Sequence, residues 1–579
     1  MKMKWKTNNR KSQSLLQLAL FAGILLFVNI LANVRIGSVA LYNYLDLTEE
    51  KRFTLTNATR SLLGKLDEVV YVNVMLEGDF PAGFKRLQTA TREILEDFRS
   101  ESGYIEYGFE DPAPDNLSVK EINARRKQLS DEGIIPVNLR VKSKDGTSEQ
   151  LIYPYAVIFY KGRQNVINLL ENEIPGVPKE VILNNSIGLL EYKLANAIQK
   201  LQSAQRPVVM YTTGHGELQE LETADLDKNL RQFYEVGRLH LDSVVSIGAE
   251  AAALIIAKPR YAFSEKDNFK LDQYVMNGGK VLWLLDWLRV DLDSLRGREQ
   301  YFPVEYPLNL GDLLFNYGVR IQPNLVLDYQ CSRIPLATGF AGNAPQFDYF
   351  KYPYHVVVTP NSKHPVAKNL GALNLLYPHT IDTTVVTKTP VQKTVLLTSS
   401  NNSMFQYLPI GMDFEFLRYD LQPEKFDKGP QPLAVLLEGE FPSMYENRLS
   451  AEMLANLQKL KMEYKPLSAP TRMIVVSDGD IARNKVNWRD ESFSPLGYNE
   501  FEKYQFANKD FLINAIEYLL DENGVIEARG KEVKLRLLDT AKASSEKTKW
   551  QVVNIVVPLV FMALFGVFYH WRRKRKYAK

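Results

Sequence analysis

An α/β protein held by two transmembrane helices is what the sequence predicts, and three observations carry that prediction. Two runs of about 20 residues, one towards each end of the chain, contain no Asp, Glu, Lys or Arg. Between them, apolar β-rich runs alternate with segments of helical periodicity across short connections. One cysteine, Cys331, stands among 579 residues, so no internal disulfide, CxxC redox pair or thiolate zinc cluster can form.

The later apolar run is Val552 to Trp571, VVNIVVPLVFMALFGVFYHW. As a helix it spans about 30 Å, the hydrocarbon thickness of a bilayer. Trp550, Tyr569 and Trp571 stand at its ends, where amphipathic rings favour the headgroup level, and RRKRKYAK follows. Pro558 removes one backbone donor inside the span, leaving a carbonyl that a neighbouring helix can cover. The earlier run is Leu15 to Val34, preceded by Lys2, Lys4, Lys6, Arg10 and Lys11. A cleaved signal peptide competes here, because Ser38-Val39-Ala40 loosely resembles a cleavage site. The run is longer than a usual signal segment, which favours an uncleaved anchor. Gln17, Asn29 and Asn33 are polar groups inside it and are candidates for contacts with other membrane helices. Basic residues flank both runs on the outer side, so the positive-inside bias puts both ends in the cytoplasm and the bulk across the membrane.

The length calls for two or more domains. The two tails supply eleven positive charges, so a net charge of +3 leaves −8 for everything between them. A body of that sign excludes nucleic acid as a partner.

After the first anchor, Val69 to Glu77 reads as a strand, and Leu87, Ala90, Ile94, Leu95 and Phe98 recur at helical spacing. Tyr104 to Phe109 is a short strand, Val119 to Leu129 a charged surface helix, and Val137 to Val141, Tyr153 to Tyr160 and Gln164 to Leu169 are strands. Ile187 to Leu201 closes the segment as an amphipathic helix. That order suggests a small α/β layer of thioredoxin-like or related type, and without a CxxC its work is contact. Arg206 to Glu217 (RPVVMYTTGHGE) is a strand entering a Gly-rich turn, with a helix over Leu221 to Tyr234. Ala251 to Ala257 is a buried strand stopped by Lys258-Pro259, Phe263 to Met276 a helix ended by Asn277-Gly278-Gly279, and Lys280 to Asp286 a third strand. Strand and helix alternate with short links, the pattern of a doubly wound parallel sheet. A helix over Leu310 to Tyr317 capped by Gly318, and strands at Leu325 to Asp328, Lys393 to Ser400 and Met473 to Asp480, continue the series before the helix Phe511 to Leu520. Phe340 to Tyr354 is aromatic and loop-like.

Several of these pieces resemble a known family. DLTEEKRFTLT (Asp46 to Thr56) after an N-terminal anchor, TGHGE, the GGK strand ending in Asp286, YGV and VLD, His364-Pro365-Val366 and MIVVSDGD together resemble GldG, the auxiliary subunit family of gliding-motility ABC transporters. The resemblance implies a larger domain similar to class I glutamine amidotransferases. It also implies an inner-membrane location with a periplasmic body, and a permease and an ATPase as partners. Membrane lipid is a further partner, and other copies of the chain are open as another. The boundaries expected are a basic tail over 1–14, a span over 15–36, the small layer over 46–203, the larger domain over 205–525, a connector over 526–550, a span over 551–571 and a tail over 572–579.

Ligands bind parallel sheets at the carboxyl ends of strands, where His215, Glu217, Asp286, Asp478 and Asp480 fall. These are the candidate ligand-binding residues, although His215 between two glycines reads better as a turn-stabilising residue. No G-x-S-x-G or G-x-C-x-G elbow occurs, Cys331 in DYQCSRI lacks small flanking residues, and no HExxH or P-loop is present. Asp478-Gly479-Asp480 lacks the further ligands of a calcium loop. The expectation is therefore no catalytic residue, no metal and no cofactor. The function expected is an auxiliary subunit that passes permease and ATPase movement to the periplasm. An extracytoplasmic receptor for a glycan or peptide is the alternative, and an amidohydrolase-like enzyme would need a Ser or Cys beside His215.

Overall fold

Alternating apolar residues on successive strands bury both faces of the main sheet. Val209, Tyr211, Ile255, Ala257, Leu282, Leu284, Ile474 and Val476 enter one core, while Leu254, Ile256, Val281, Trp283, Met473 and Val475 enter the other. This is a computed structural model, and it describes residues 10–33, 35–36, 39–40, 54–78, 80–112, 118–143, 146–171, 178–203, 205–295, 297–342, 344–459, 463–530 and 540–577. Most of the basic tail, the DLTEEKRF stretch and much of the connector lie outside the described residues. Two units form, Met1–Glu532 and Val533–Lys579.

In the first unit, helix α1 (Arg10–Asn33) comes first. A four-stranded sheet follows, built from β1 (Val70–Val74), β2 (Ile105–Phe109), β3 (Tyr155–Tyr160) and β4 (Arg163–Asn168), with α2 (Ala82–Glu101) between β1 and β2 and α3 (Leu190–Gln202) after β4. The order is β2-β1-β3-β4, with β1 and β2 parallel and the other pairs antiparallel. Phe84, Leu87, Leu95 and Phe98 of α2 and Leu194, Ile198 and Leu201 of α3 pack into one core with Val70, Val72 and Val74. The charged helix Val119–Asp131 begins with a capping box at Ser118 and Glu121.

The seven-stranded sheet is made of β5 (Val208–Thr213), β6 (Glu235–His240), β7 (Ala251–Ala257), β8 (Lys280–Leu284), β11 (Val391–Thr398), β12 (Pro432–Gly439) and β13 (Thr471–Val476), with the hairpin β9 (Cys331–Ala341) and β10 (Ala344–Val358) between β8 and β11. Its order is β6-β5-β7-β8-β13-β12-β11. The first five strands are parallel, and β12 and β11 close one edge antiparallel. Helices α4 (Ala224–Leu230) and α7 (Asn508–Leu520) cover one face, and α5 (Glu265–Met276) and α6 (Gly311–Tyr317) cover the other. Gly278 (φ +90°) and Gly318 (φ +106°) take the left-handed conformation that ends α5 and α6.

Three expectations change. The sheet is mixed, because its antiparallel edge comes from β11 and β12. Asn324–Asp328 leaves the parallel series and pairs antiparallel with Ser403–Tyr407. The aromatic stretch Phe340 to Tyr354 is part of the long hairpin β9–β10. Its described residues from 337 to 349 are exposed or half-exposed on both faces, so no burial alternation marked them as strand.

In the second unit, α8 (Lys547–Tyr577) runs unbroken through Pro558. Among the described residues one helix, Lys547–Lys576, is long and apolar enough to cross a membrane. The described apolar part of α1, Leu16–Val28, is shorter than a span.

Candidate functional site

Strands β5, β7, β8 and β13 end on the same edge of the sheet, and the backbone ladder runs one residue past two of them. Lys258 N–H donates to Leu284 O at 2.8 Å, and Leu285 N–H to Val476 O at 3.0 Å. Lys258 and Asp286 thus leave the sheet side by side, with Lys258 at φ +54°. The turn after β13 delivers Asp478, Gly479 and Asp480 to the same place. Carboxylate oxygens of Asp286, Asp478 and Asp480 lie within 4.8 Å of one another.

Lys258 fills this group with charge. Its ammonium lies 2.9 Å from Asp286 Oδ2 and also contacts Asp480 Oδ2. Gly479 N–H donates to Asp286 Oδ1 at 2.6 Å, and Asp480 N–H donates to Asp478 Oδ1 at 2.8 Å. Leu376 N–H donates to Asp478 Oδ2 at 2.9 Å. Arg483 reaches Asp480 Oδ1 at 3.5 Å and Glu222 Oε1 at 2.9 Å. Burial, with Asp286 and Asp480 beside it, pushes the Asp478 carboxyl well above its ordinary range. Burial also raises Asp480, but Lys258 and Arg483 outweigh it and hold that carboxyl low. Burial works against the charge on Lys258, yet Asp286 and Asp480 hold its ammonium above the ordinary value. Three carboxylates are a donor set a divalent cation uses. Here Lys258 already supplies a cation to two of them.

His215 and Glu217 form a second group with Asp267, the third residue of α5. His215 Nδ1 lies 3.6 Å from Glu217 Oε1 and Nε2 lies 3.4 Å from Asp267 Oδ2, while the ring stacks on Phe263 at 3.8 Å between centroids. His215 N–H donates to Glu217 Oε2 at 2.7 Å and Thr212 Oγ1 to Glu217 Oε1 at 3.1 Å. Gly214 (φ +115°) and Gly216 (φ +77°) give the turn its left-handed positions. Burial pulls the imidazole down, but the Glu217 and Asp267 carboxylates outweigh it, so His215 holds its proton above the ordinary value. Arg260 and Tyr261 N–H groups donate to His215 O at 2.7 and 2.9 Å, which ties this turn to the chain just beyond Lys258.

The five candidate residues therefore fall into two neighbouring groups, none more than 9 % exposed. The residues the sequence reading missed are Lys258, Asp267, Arg483 and Glu222. Lys258 read only as the end of a strand, and a buried lysine carries no local mark of its burial. Segment 373–379 also reaches this site: Leu376 N–H donates to Asp478, and His379 accepts from Trp287 N–H at 2.9 Å. Among the described residues no Ser or Cys hydrogen-bonds to the His215 side chain. Cys331 opens β9, and burial pushes its thiol up to about 12. Gln17 is exposed on α1, whereas the side chains of Asn29 and Asn33 lie outside the described residues.

At the opposite edge of the sheet, a cavity of about 400 Å³ lies between α3 and α7, lined by Lys200, Arg206, Lys280, Glu517 and Asp521 among others. Glu517 binds Lys200, Tyr192 and Asn196 across this seam.

Residues 206–515 match the family described as an ABC-type uncharacterized transport system, and residues 49–159 match a domain of unknown function, DUF7088. An uncharacterized protein of Borreliella burgdorferi is 22 % identical over 554 residues, which cover 92 % of this chain and 93 % of that one. The mmIFT52 N-terminal domain aligns over 54 % of this chain and 96 % of its own at 13 % identity, with a TM-score of 0.29. The matched span takes in the seven-stranded mixed sheet, both strand-end groups and most of α7, so this chain belongs to the auxiliary family of ABC-type transport systems.

Proposed function

We propose that this chain is a membrane-anchored, non-catalytic auxiliary subunit of an ABC transport complex, coupling permease and ATPase movement to a periplasmic body. The family match over 206–515 carries this reading, because membership gives the chain an accessory role alongside transporter components. The apolar helix α8 supports the anchor, and the uncharged run Leu15 to Val34 is the basis for reading α1 as a second span. Resemblance to GldG supports the finer assignment to gliding motility and linked export. The four-stranded order β2-β1-β3-β4 supports a small thioredoxin-like contact layer, and the helix-covered sheet beside it supports a larger amidotransferase-like one. In a non-catalytic role, Asp286 and Asp480 fix the strand ends through Lys258, and Asp478 does so through the Leu376 and Asp480 N–H groups.

Affinity purification of the full chain from native membranes tests the reading. A permease and an ATPase should accompany it, and their consistent absence would sink it. Replacing Gln17, Asn29 and Asn33 together by leucine should lower the yield of those partners; an unchanged yield retires the polar-contact idea.

The second reading is an extracytoplasmic receptor for a glycan or peptide, with His215, Glu217, Asp286, Asp478 and Asp480 as contacts. Thermal-shift screening against cell-envelope glycan and peptide fragments separates the two. A ligand whose shift disappears in Asp286→Asn favours the receptor.

A further inference from the structure

Helix α8 continues past its apolar stretch into Arg572, Arg573, Lys574 and Arg575, with Lys576 extending the run. At 100° and 1.5 Å per residue, four successive positions cover the whole circumference within about 4.5 Å of helix axis. The cations therefore form a collar and not a face. All four are exposed. No acidic residue occurs from Trp550 to Lys579. The Arg575 guanidinium lies over the Trp571 ring at 4.5 Å, one turn back, which puts a cation and an amphipathic ring together where the apolar stretch ends. The other end of the helix is balanced: Glu546 accepts from Trp550 Nε1 at 2.9 Å and lies 3.9 Å from Lys549.

We propose that this collar binds the headgroups of anionic phospholipids in the leaflet where α8 ends. The proposal rests on the reading of α8 as a membrane span. Its positive charge begins directly after Trp571, so with the apolar stretch in hydrocarbon all four side chains reach headgroup level at once, in every direction around the helix. Lipids surround a helix in that way. An acidic protein or a nucleic acid meets one side only and leaves the remaining cations among headgroups. Juxtamembrane cations each add to the attraction of an anionic leaflet, within a distance set by salt screening.

The test uses the full chain reconstituted into vesicles of phosphatidylcholine and phosphatidylglycerol at three to one. Incorporation is checked first by resistance to alkaline carbonate. The chain is then extracted in mild detergent and its retained lipid is measured by mass spectrometry. Phosphatidylglycerol should be enriched at least threefold over its share of the vesicle. The variant R572Q/R573Q/K574Q/R575Q should incorporate equally and retain lipid at the bulk ratio. A chain that fails to incorporate overturns both the span and the collar. Incorporation without enrichment, or enrichment unchanged in the variant, overturns the collar and leaves the span standing. Capture of an acidic protein or nucleic acid by the collar without lipid enrichment also overturns it.

Discussion

Gly479 and Lys258 approach so closely that residue 479 has no room for a side chain: a Cβ there would lie 2.7 Å from Lys258 Cβ and 2.9 Å from its Cα. The glycine is needed for this approach, because its own φ of −81° is open to any residue. Gly479→Ala must push the turn off the β7 end and disturb the Gly479 N–H to Asp286 bond. The expected loss is about 1–3 kcal/mol, the usual cost of overpacking. Equilibrium denaturation of the full chain in detergent measures it, and an unchanged midpoint would show that the turn relaxes freely.

Lys258→Met keeps the apolar stem and removes the charge. Asp286 and Asp480 then face each other in a buried site without a shared cation, at an expected cost of about 3–5 kcal/mol. The triple variant Lys258→Met, Asp286→Asn, Asp480→Asn removes the repulsion too and should recover part of that loss. If the triple variant is less stable than Lys258→Met alone, the carboxylates contribute something other than charge balance.

The His215 group gives a pH dependence with a defined sign. The folded state holds the imidazole proton above its ordinary value of 6.5. The resulting stability is therefore complete below about 6.5 and is lost as pH rises through the folded-state value. Glu217 and Asp267 are held low in spite of burial, through His215 and, for Asp267, Ser264 and Lys270 as well. Their share is present above the ordinary carboxylate range and lost on acidification. His215→Gln should flatten the decline above pH 6.5 and weaken Glu217's share of the acid limb, while the part of Asp267's share held by Ser264 and Lys270 remains. A melting-temperature profile from pH 4 to 9 shows whether it does.

Cys331 should react slowly. With its thiol near 12 in place of 9.0, the thiolate population at pH 8 falls by about a thousandfold. Alkylation by iodoacetamide should speed up at least about a hundredfold in denaturant, and equal rates in the two states would contradict the burial. This low reactivity lets introduced cysteines report topology against a quiet background. With an impermeant maleimide and an opened outer envelope, Ser545→Cys should label at once and Lys574→Cys only after the inner membrane is breached. The reverse order would invert the proposed orientation.

Much of this fold was legible because burial on both sides turns a strand into a continuous apolar run, as in Ala251–Ala257 and Lys280–Leu284. The convergence of Asp286, Asp478 and Asp480 followed from the same register, since neighbouring parallel strands deliver their next residues to one edge. Strand β6 was missed because EVGRLH is a half-polar edge with no periodic signal. The strand at Gly146–Ile152 was missed too: GTSEQLI carries polar residues through most of its length. Lys258 was unreadable as an ion-pair partner because Asp480, one of its two carboxylate partners, lies 222 residues later in the chain. The split of the five candidates into two groups likewise depended on Asp267, whose place at the start of α5 marks a helix end first.

The β9–β10 ribbon has one further consequence. Beyond the Leu336–Asp348 pair it leaves the core, and none of its described side chains out to the turn is buried. Nothing inside the molecule sets its reach. Adding or deleting cross-strand pairs there would leave every interior contact as it is, so relatives of this chain are free to differ in the length of this arm while sharing the same sheet.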